Sequence, residues 1–462
     1  MLNGNKHYLC RYVMTRKYII MKTKYLLPLL AVLVLFFGCE DSKDSLSLKV
    51  PQSADDVSSD GGTLQVDITC DGPWTAFSSA ESWCLVDAQV GSGTDVLTIQ
   101  VLPNYKQETR TAVVTVSSKK AKKEIKISQK ASDTSIDPAT YHYDLPVIFH
   151  VMYKDKTAPD QYVSQNRLSD ILSVVNKYYK DKTESVDMNL TFTLATANPY
   201  GETLDSPGVE YIQWPDSYPI DCDDFMTDNT SEGGKGYVKY LWDPNRYINV
   251  MVYNFTEDPN SGSVTLGISH LPFTTTGSNS LPGLNDVSQS YLTLQNLEYP
   301  YCVSINSSFI DQQSNSQYYN PADITVTLAH ELGHYLGLHH VFSEAGGSVM
   351  DGCKDTDYCE DTPSYNKVAY DMTYQWAMDG NVPDDNLFKF LVKRENCEGA
   401  EFISRNIMDY SISKSDQFTQ DQLGRVRHVL MYSPLIPGPK VEQAGTRVVY
   451  EGPLDLPIRV VR

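Results

Sequence analysis

Four of the nine histidines of this chain lie within eleven consecutive residues, His330 to His340, and this cluster constrains the fold more than any other sequence feature. The apolar residues 324–329 before it predict the first turns of a helix, and Asp323 adds a negative charge where the helix dipole favours one. On such a helix His330 and His334 lie one turn apart on the same face, about 6 Å from each other. Two imidazoles at that spacing can bind one metal ion.

The residues around this pair predict a catalytic metal site. Glu331 projects about 100° around the helix from His330, so it lies beside the ion without binding it, as a base for a bound water must. Gly337 can adopt the left-handed conformation that ends a helix, which lets a histidine just beyond it return to the metal. His339 and His340 both stand there, and the helical geometry does not choose between them. Because chance gives this pattern in on the order of one chain in 10⁵, ordinary core histidines are a poor explanation.

The eleven-residue pattern of residues 330–340, HExxHxxGxxH, resembles the zinc-binding motif of the metzincin peptidases. That resemblance selects His340 as the third zinc ligand and implies that Glu331 is the catalytic base. Residues 406–410, Asn-Ile-Met-Asp-Tyr, resemble the Met-turn of the same peptidases. It implies that Met408 lies beneath the zinc site and that Tyr410 lies near the metal, where it can hydrogen-bond the oxyanion.

Further segments resemble the pappalysin, or cytophagalysin-like, branch of the metzincins. The resemblance spans residues 141–433 and implies an α/β (α+β) zinc-peptidase domain that cleaves protein or peptide substrates. Residues 266–269 are expected to form an edge strand that borders the cleft. The other matching segments are 145–151 and 246–250 as strands, and 351–353, 361–363 and Cys397 as a disulfide-bearing loop.

The resemblance also bears on disulfides and specificity. It implies a disulfide among Cys353, Cys359 and Cys397, although the spacing does not determine which pair forms. Some pappalysin-like enzymes cut beside Arg or Lys and use an acidic residue shortly after the Met-turn. Ser413 stands at that position here, with Lys414 and Asp416 nearby, which weakens the case for a basic preference.

A calcium site is a further expectation from the family. Pappalysin-like enzymes can hold structural calcium in the loop that follows the zinc-binding motif, and this loop is rich in oxygen donors. The spacing is not that of an EF-hand, so a solvated acidic turn is an equal alternative. The candidate ligands are Asp355, Asp357, Asp361 and Thr362.

The region before the peptidase segment predicts an all-β module. Short alternating segments at 63–69, 96–101, 111–117 and 124–128 are separated by turn residues, which is typical of a β-sandwich. Residues 45–132, with Trp74 and Trp83, resemble the bacterial immunoglobulin-like module called BACON. Such modules are proposed to bind carbohydrate or mucin, but we expect a spacer, because function does not follow from fold.

The first 39 residues predict an export signal. Lys22 and Lys24 precede an apolar run, 25–37, which is too short for a membrane span and has the layout of a secretory signal. The run ends at Gly38-Cys39, which resembles a bacterial lipobox, so Cys39 is the expected lipidation site and the protein an outer-membrane lipoprotein of the cell envelope, surface-exposed or periplasm-facing. Residues 1–20 look superfluous, and Met21 is a plausible start.

Length and charge complete the expected organisation. A chain of 462 residues is too long for one ordinary core. Its net charge of -20 would repel phosphate backbones, which argues against nucleic acid as a partner. We expect a multidomain, lipid-anchored zinc endopeptidase, with a glycan- or mucin-binding surface protein whose peptidase domain is subsidiary or inactive as the alternative. The expected parts are a signal peptide (1–39), a β-sandwich (45–132), a linker (133–140), a metzincin domain (141–433) and a C-terminal tail (434–462).

Overall fold

The computed structural model describes residues 48–461 except for 52, 60, 81–82, 87–89, 120, 134–136, 181–184, 229–235, 258–263, 316–317, 346–347, 411 and 442–451. The expected signal peptide and its Cys39 lie outside the described residues. Within the described ranges, no helix is both long enough and apolar enough to cross a membrane.

The N-terminal part consists of two sheets that enclose one core. One sheet has the strand order β1-β3-β7-β5 and the other the order β2-β9-β8-β4-β6. Alternate residues of each strand point inward, so Ile68 and Ile99 of one sheet meet Val114 and Ile127 of the other. All four predicted strands are present. The strands are β1 Leu48–Lys49, β2 Ser53–Val57, β3 Gly62–Cys70, β4 Pro73–Ser78, β5 Cys84–Val86, β6 Val90–Ser92, β7 Asp95–Val101, β8 Arg110–Ser118 and β9 Ala121–Gln129.

A mixed sheet forms the centre of the second part, with the order β11-β10-β13-β17-β14-β22, and β12 also pairs with β10. The inner strands are parallel, whereas β14 is antiparallel to β17. The near-continuous apolar run of β10 is typical of a parallel strand that is covered on both faces. The strands of this sheet are β10 Tyr143–Tyr153, β11 Leu190–Leu194, β12 Val209–Gln213, β13 Ile248–Tyr253, β14 Gly267–His270, β17 Val303–Asn306 and β22 Val460–Val461.

Helices and small hairpins surround this sheet. The histidine-bearing helix α3 packs against β14, β17 and α1. A π-helical segment, Ala377–Asn381, follows α4 directly. The last helix, α6, begins with a capping box of Thr419 and Gln422. The helices are α1 Gln165–Tyr178, α2 Cys222–Thr227, α3 Ile324–Tyr335, α4 Lys367–Trp376, α5 Asp384–Leu391 and α6 Gln420–Tyr432; the short strands are β15 Phe273–Thr275, β16 Asn285–Val287, β18 Glu344–Ala345, β19 Ser348–Val349, β20 Lys393–Glu395 and β21 Glu401–Ile403.

The expectation that residues 266–269 form an edge strand is correct for Gly267 and Ile268 and wrong for Ser269. The strand itself exists as β14, but β22 of the C-terminal tail pairs with it in antiparallel fashion. Leu456 and Val461 of the tail are almost fully buried, so the tail is part of the packed structure. A two-residue strand has no periodicity of its own, and for this reason the sequence did not reveal it.

Candidate active site

Helix α3 begins and ends at defined residues. Asp323 is its N-cap, and the carboxylate accepts hydrogen bonds from the backbone N–H groups of Thr325 and Val326. At the other end Gly337 has φ +92°, a left-handed conformation that turns the chain back toward the helix. A Cβ on Gly337 would also lie 2.6 Å from Cγ2 of Val429 on α6. Only glycine therefore suits this turn, which returns His340 to the helix.

The turn brings three histidines together. Nε2 of His334 lies 3.0 Å from Nε2 of His330 and 3.1 Å from Nε2 of His340. Among the described residues these three form the one group of His, Cys, Asp or Glu side chains close enough to hold a metal ion. All three side chains are nearly inaccessible to solvent.

Each imidazole is oriented through its other nitrogen. Nδ1 of His330 lies 2.7 Å from the carbonyl oxygen of Ile407, and Nδ1 of His334 lies 2.8 Å from that of Leu338. A carbonyl oxygen can only accept, so both Nδ1 atoms carry the proton. Burial lowers the pKa of His330 to about 3 and that of His334 well below its usual value, which keeps both rings neutral.

This arrangement fits a tetrahedral metal ion. With the protons on Nδ1, the Nε2 lone pairs of His330 and His334 face each other without a donor between them, which is unfavourable unless a cation lies there. Imidazole nitrogens that share one tetrahedral zinc are about 3.3 Å apart, close to the observed separations. His330, His334 and His340 could therefore hold a metal ion.

Glu331 lies beside the three histidines and faces the cavity. Its side chain is buried, and Oε2 has no hydrogen-bond partner among the described residues. Burial raises the pKa of Glu331 well above its ordinary value. A buried carboxyl group without a partner is a common feature of catalytic acids and bases.

The structure distinguishes the two candidate third histidines. His340 contributes Nε2 to the cluster, whereas both ring nitrogens of His339 are buried and have no hydrogen-bond partner among the described residues. Glu344 lies between the two, with Oε2 2.9 Å from Nδ1 of His340 and Oε1 3.6 Å from Nδ1 of His339. Burial opposes ionisation of Glu344, but the two imidazoles prevail and lower its pKa to about 2.

The segment around Met408 closes the site from below. Met408 is fully buried, and its Sδ would lie 2.5 Å from a Cβ placed on Gly333 of α3. The ring of Tyr410 packs against that of His340 with 4.3 Å between their centroids. Tyr410 also contributes to the wall of the cavity in front of Glu331.

A buried ion pair supports the Met408 segment from behind. Arg394 on β20 lies 3.5 Å from the carboxylate of Asp409 and donates to the carbonyl oxygens of Tyr410 and Ile412. Asp409 in turn accepts from the hydroxyl groups of Tyr365 and Ser404. The backbone on both sides of Tyr410 is thereby fixed.

The loop that carries the candidate calcium ligands, residues 351–363, is called the acidic loop, and it is bonded to neighbouring elements. A disulfide joins Cys353 and Cys397, while Cys359 is a buried free thiol. Asp357 accepts a hydrogen bond from Thr362, and its pKa rises to about 8, mainly through burial, with Asp355 adding to the rise.

The remaining predicted calcium ligand faces a different element. The carboxylates of Asp361 and Asp421 each accept a hydrogen bond from the other residue's backbone N–H. Asp361 therefore contacts the start of α6, whereas Asp357 is hydrogen-bonded to Asp355 and Thr362 within the loop.

A cavity of about 540 Å³ opens beside His330 and Glu331, where Tyr178, Tyr319 and Lys414 contribute to its wall. The carboxylates of two aspartates in the wall already have partners within the protein, because Asp323 caps α3 and Asp409 forms an ion pair with Arg394.

Among the described residues 412–418, which follow the Met408 segment, none adds a carboxylate to the wall of this cavity. Ser413 is fully buried and bonded to Ser404, and Asp416 forms an ion pair with Arg405.

Two family models match parts of this chain. Residues 301–431 match the peptidase family model described as pregnancy-associated plasma protein-A, and residues 73–130 match the BACON model, an N-terminal binding domain. Residues 301–431, hereafter the pappalysin domain, are therefore similar to the peptidases of the pappalysin family. An extracellular metalloprotease of Arthroderma otae is 34% identical over 102 residues, which are 22% of this chain and 29% of that protein, so the chain spans less than a third of that relative.

Two further proteins resemble part of this chain. Extracellular metalloprotease 1 of Coccidioides posadasii is 27% identical over 281 residues, 60% of this chain and 74% of that protein. Mature mirolysin of Tannerella forsythia, solved in complex with a cleaved peptide, is similar with a TM-score of 0.38 and 20% identity, covering 62% of this chain and 90% of that chain.

Three residues of the pappalysin domain site have no sequence motif. Glu344, Arg394 and Gly267 act through contacts with His340, Asp409 and Glu331. Arg394 and Gly267 are each separated from their partners by many residues. Glu344 follows His340 by four residues outside any helix, so helical spacing gave no reason to connect them.

Proposed function

We propose that the pappalysin domain is a zinc-dependent endopeptidase that hydrolyses peptide bonds of extracellular proteins. The single observation that carries this proposal is the convergence of the Nε2 atoms of His330, His334 and His340 beside Glu331, whose Oε2 has no hydrogen-bond partner in the part of the chain that the structure describes. Three neutral imidazoles next to a carboxylate that does not ligate the metal are the composition of a hydrolytic zinc site.

The residues have separate roles in the proposed reaction. Zinc bound by the three imidazoles would supply a Lewis acid that polarises a peptide carbonyl and acidifies a water molecule. Glu331 accepts the proton of the attacking water at its free oxygen and later returns it to the leaving amine. Tyr410 donates a hydrogen bond to the developing oxyanion, a role supported by its contact with His340.

The adjacent histidines offer a matched test. His340→Gln removes one Nε2 from the cluster and should abolish zinc binding and casein cleavage together. His339→Gln changes the neighbouring buried ring, which does not join the cluster, and should retain both. Glu331→Gln should retain zinc, measured by elemental analysis, and lose more than about 10³-fold in kcat. Cleavage by zinc-loaded Glu331→Gln, or cleavage that phenanthroline does not inhibit, would contradict the proposal.

We further propose that the β module is a spacer. The two aromatic residues best suited to stack on a sugar are engaged within the module, since Trp74 is buried and the guanidinium of Arg110 lies 4.3 Å from the ring centroid of Trp83. The arrangement of two sheets around one core supports an immunoglobulin-like module. Specific binding of the full chain to a glycan array, lost in Trp83→Ala, would refute the spacer role.

Export and lipid anchoring through Cys39 complete the proposal. The support is the basic, apolar and small-residue layout of residues 22–39. Metabolic labelling with a fatty acid should mark the wild-type protein and not Cys39→Ala. Equal labelling of both would exclude the anchor.

Calcium in the acidic loop remains a prediction of the family resemblance. Elemental analysis after dialysis tests it, and zinc without calcium would exclude a tight calcium site.

A further inference from the structure

Residues 459–461 of the C-terminal tail cover one end of the outer side of the strand that borders the cavity. Val460 and Val461 pair with His270 and Ser269 of β14, and the N–H of Leu271 donates to the carbonyl of Arg459 at 3.0 Å. The other end of the same strand begins at Gly267, which lies in the cavity wall directly against Glu331. One strand thus contacts both the tail and the proposed catalytic centre.

The hydrogen-bonding pattern shows which backbone groups the tail uses. In antiparallel pairing, alternate residues direct both backbone groups to the same neighbour. The N–H of His270 donates to Cys302, next to β17, whereas the N–H of Leu271 donates to the tail. Ser269 and Gly267, two and four residues before Leu271, therefore present their groups on the tail side of β14. The described tail residues reach Ser269 but not Gly267.

The described residues 452–461 of the tail are held there at several points. Asn296 donates through Nδ2 to the carbonyl of Gly452 and accepts from the N–H of Leu454. Arg459 donates to the carbonyl of Gly283, and the side chain of Val461 is 5% exposed. The tail is therefore bound to this edge by side-chain burial as well as by backbone hydrogen bonds.

An extended peptide can use the same edge. Peptides bind exposed sheet edges by adding a strand, and the backbone groups of Gly267 lie at the cavity where a peptide would pass Glu331. The tail shows that this edge accepts a strand antiparallel to β14. Consider a peptide bound antiparallel to β14 with one residue opposite Gly267. Its residue two positions towards the N-terminus would lie opposite Ser269, where Val461 lies now, and its residue four positions towards the N-terminus would lie opposite Leu271, where Arg459 lies now.

We propose that residues 459–461 occupy the substrate-binding edge of β14 and compete with the N-terminal side of long substrates. This inference rests on the proposed peptidase function. Peptides whose N-terminal side is too short to reach the position of Val461 can bind without displacing the tail. Protein substrates cut at internal bonds have to displace it, so the tail selects substrates by their length on the N-terminal side of the cleaved bond.

A proline pair tests the competition. By the same alternation the N–H of Val461 points to Ser269, whereas the N–H of Val460 points away, so Val461→Pro weakens the pairing and Val460→Pro is the control. The substrates are two peptides with the same cleaved bond, preceded by two residues in one and by six in the other. Val461→Pro should lower KM at least about 5-fold for the longer peptide only, and Val460→Pro should behave as wild type.

A reversible crosslink tests the opposite change. Hydrogen-bonded antiparallel partners are about 5.5 Å apart at Cα, within the range of a disulfide, so Ser269→Cys with Val461→Cys should lock the tail onto β14. The locked protein should cut the longer peptide at least about 10-fold more slowly than the shorter one. A phosphine reductant should return the ratio of the two cleavage rates to the wild-type ratio. Wild type with the same reductant controls for the disulfide between Cys353 and Cys397.

Two results would overturn the proposal. One is an equal effect of the tail variants on both peptides; the other is loss of short-peptide cleavage in Val461→Pro with zinc retained, which would make the tail purely structural. Fluorescence anisotropy of the labelled longer peptide on proteins that also carry Glu331→Gln measures binding without cleavage. Weaker binding to the locked protein would support the tail's role even if the chain proved not to be a peptidase. Cleavage by wild type with no effect of the lock would remove this inference and leave the proposed function intact.

Discussion

The backbone of Gly267 lies so close to Glu331 that a Cβ on this glycine would be 2.6 Å from Cγ and 2.8 Å from Oε1 of the glutamate. Strand β14 and helix α3 can approach this closely only without a side chain at that position. The contact determines the position of the proposed base.

The first prediction is that Gly267→Ala lowers kcat by about 10–100-fold, because an added methyl group displaces Glu331 and small misplacements of catalytic groups are costly. Zinc content should remain that of wild type. Gly352→Ala is the matched control, since a Cβ at Gly352 meets nothing within 4 Å. Unchanged kcat in Gly267→Ala, measured with a short peptide, would contradict this role.

Glu344 should determine how tightly the metal is held. Its carboxylate lies 2.9 Å from Nδ1 of His340 and orients that ring. Loss of such a partner typically costs about 10–100-fold in metal affinity, which we expect for Glu344→Ala. Glu344→Gln keeps an acceptor oxygen and should lose less. Competition with a chromophoric zinc chelator measures both, and wild-type affinity in Glu344→Ala would show that His340 needs no support.

Arg394 should be important for stability. Its guanidinium and the carboxylate of Asp409 are both buried, so Arg394→Met leaves a buried charge without its partner. We expect a loss of about 3–5 kcal/mol in the free energy of unfolding, measured with denaturant. The double variant Arg394→Met/Asp409→Asn removes both charges and should recover part of the loss. If the double variant were less stable than the single one, the burial of an unpaired charge would not be the cause.

Asp357 should make stability depend on pH. Burial raises its pKa to about 8 in the folded protein, against about 3.9 in an unfolded chain. Between these values the folded state binds more protons, so without calcium the stability falls as pH rises from about 4 to 8, by a few kcal/mol at most.

Asp357→Asn is the reference for this measurement, because it removes the titration and retains an acceptor oxygen. The melting temperature of wild type minus that of Asp357→Asn should decrease from pH 5 to pH 8 in the presence of EDTA. Calcium binding to the ionised carboxylate would reverse the decrease at pH 8. A difference that stays constant with pH would show that Asp357 does not titrate in this window.

The local features of the site could be predicted from the sequence. The spacing of His330, Glu331 and His334 has a structural meaning as soon as the segment is helical, because one turn of helix is 3.6 residues. Gly337 was recognisable because a left-handed residue ends many helices. The strands of the β module followed from alternating apolar residues, a pattern that depends on neighbours along the chain.

The choice between His339 and His340 needed more than helical spacing. The family register selected His340, and the structure brings this residue to His334 because the turn at Gly337 directs its ring inward and Glu344 binds its other nitrogen. The pairing of Cys353 with Cys397 likewise depends on which segments lie side by side, and spacing does not provide this.

The sequence by itself determined the chemistry of this protein: the histidines on one helix, the carboxylate beside them and the glycine at which the helix ends. The tertiary structure alone decided what surrounds that chemistry, namely Gly267 against Glu331, Arg394 behind Asp409 and the tail on the edge of β14. The physical reason is the distance along the chain over which each kind of interaction acts. Helical periodicity and turn conformation act over a few residues, whereas burial, ion pairing and strand addition join segments that are distant in the sequence and whose local patterns do not identify their partners.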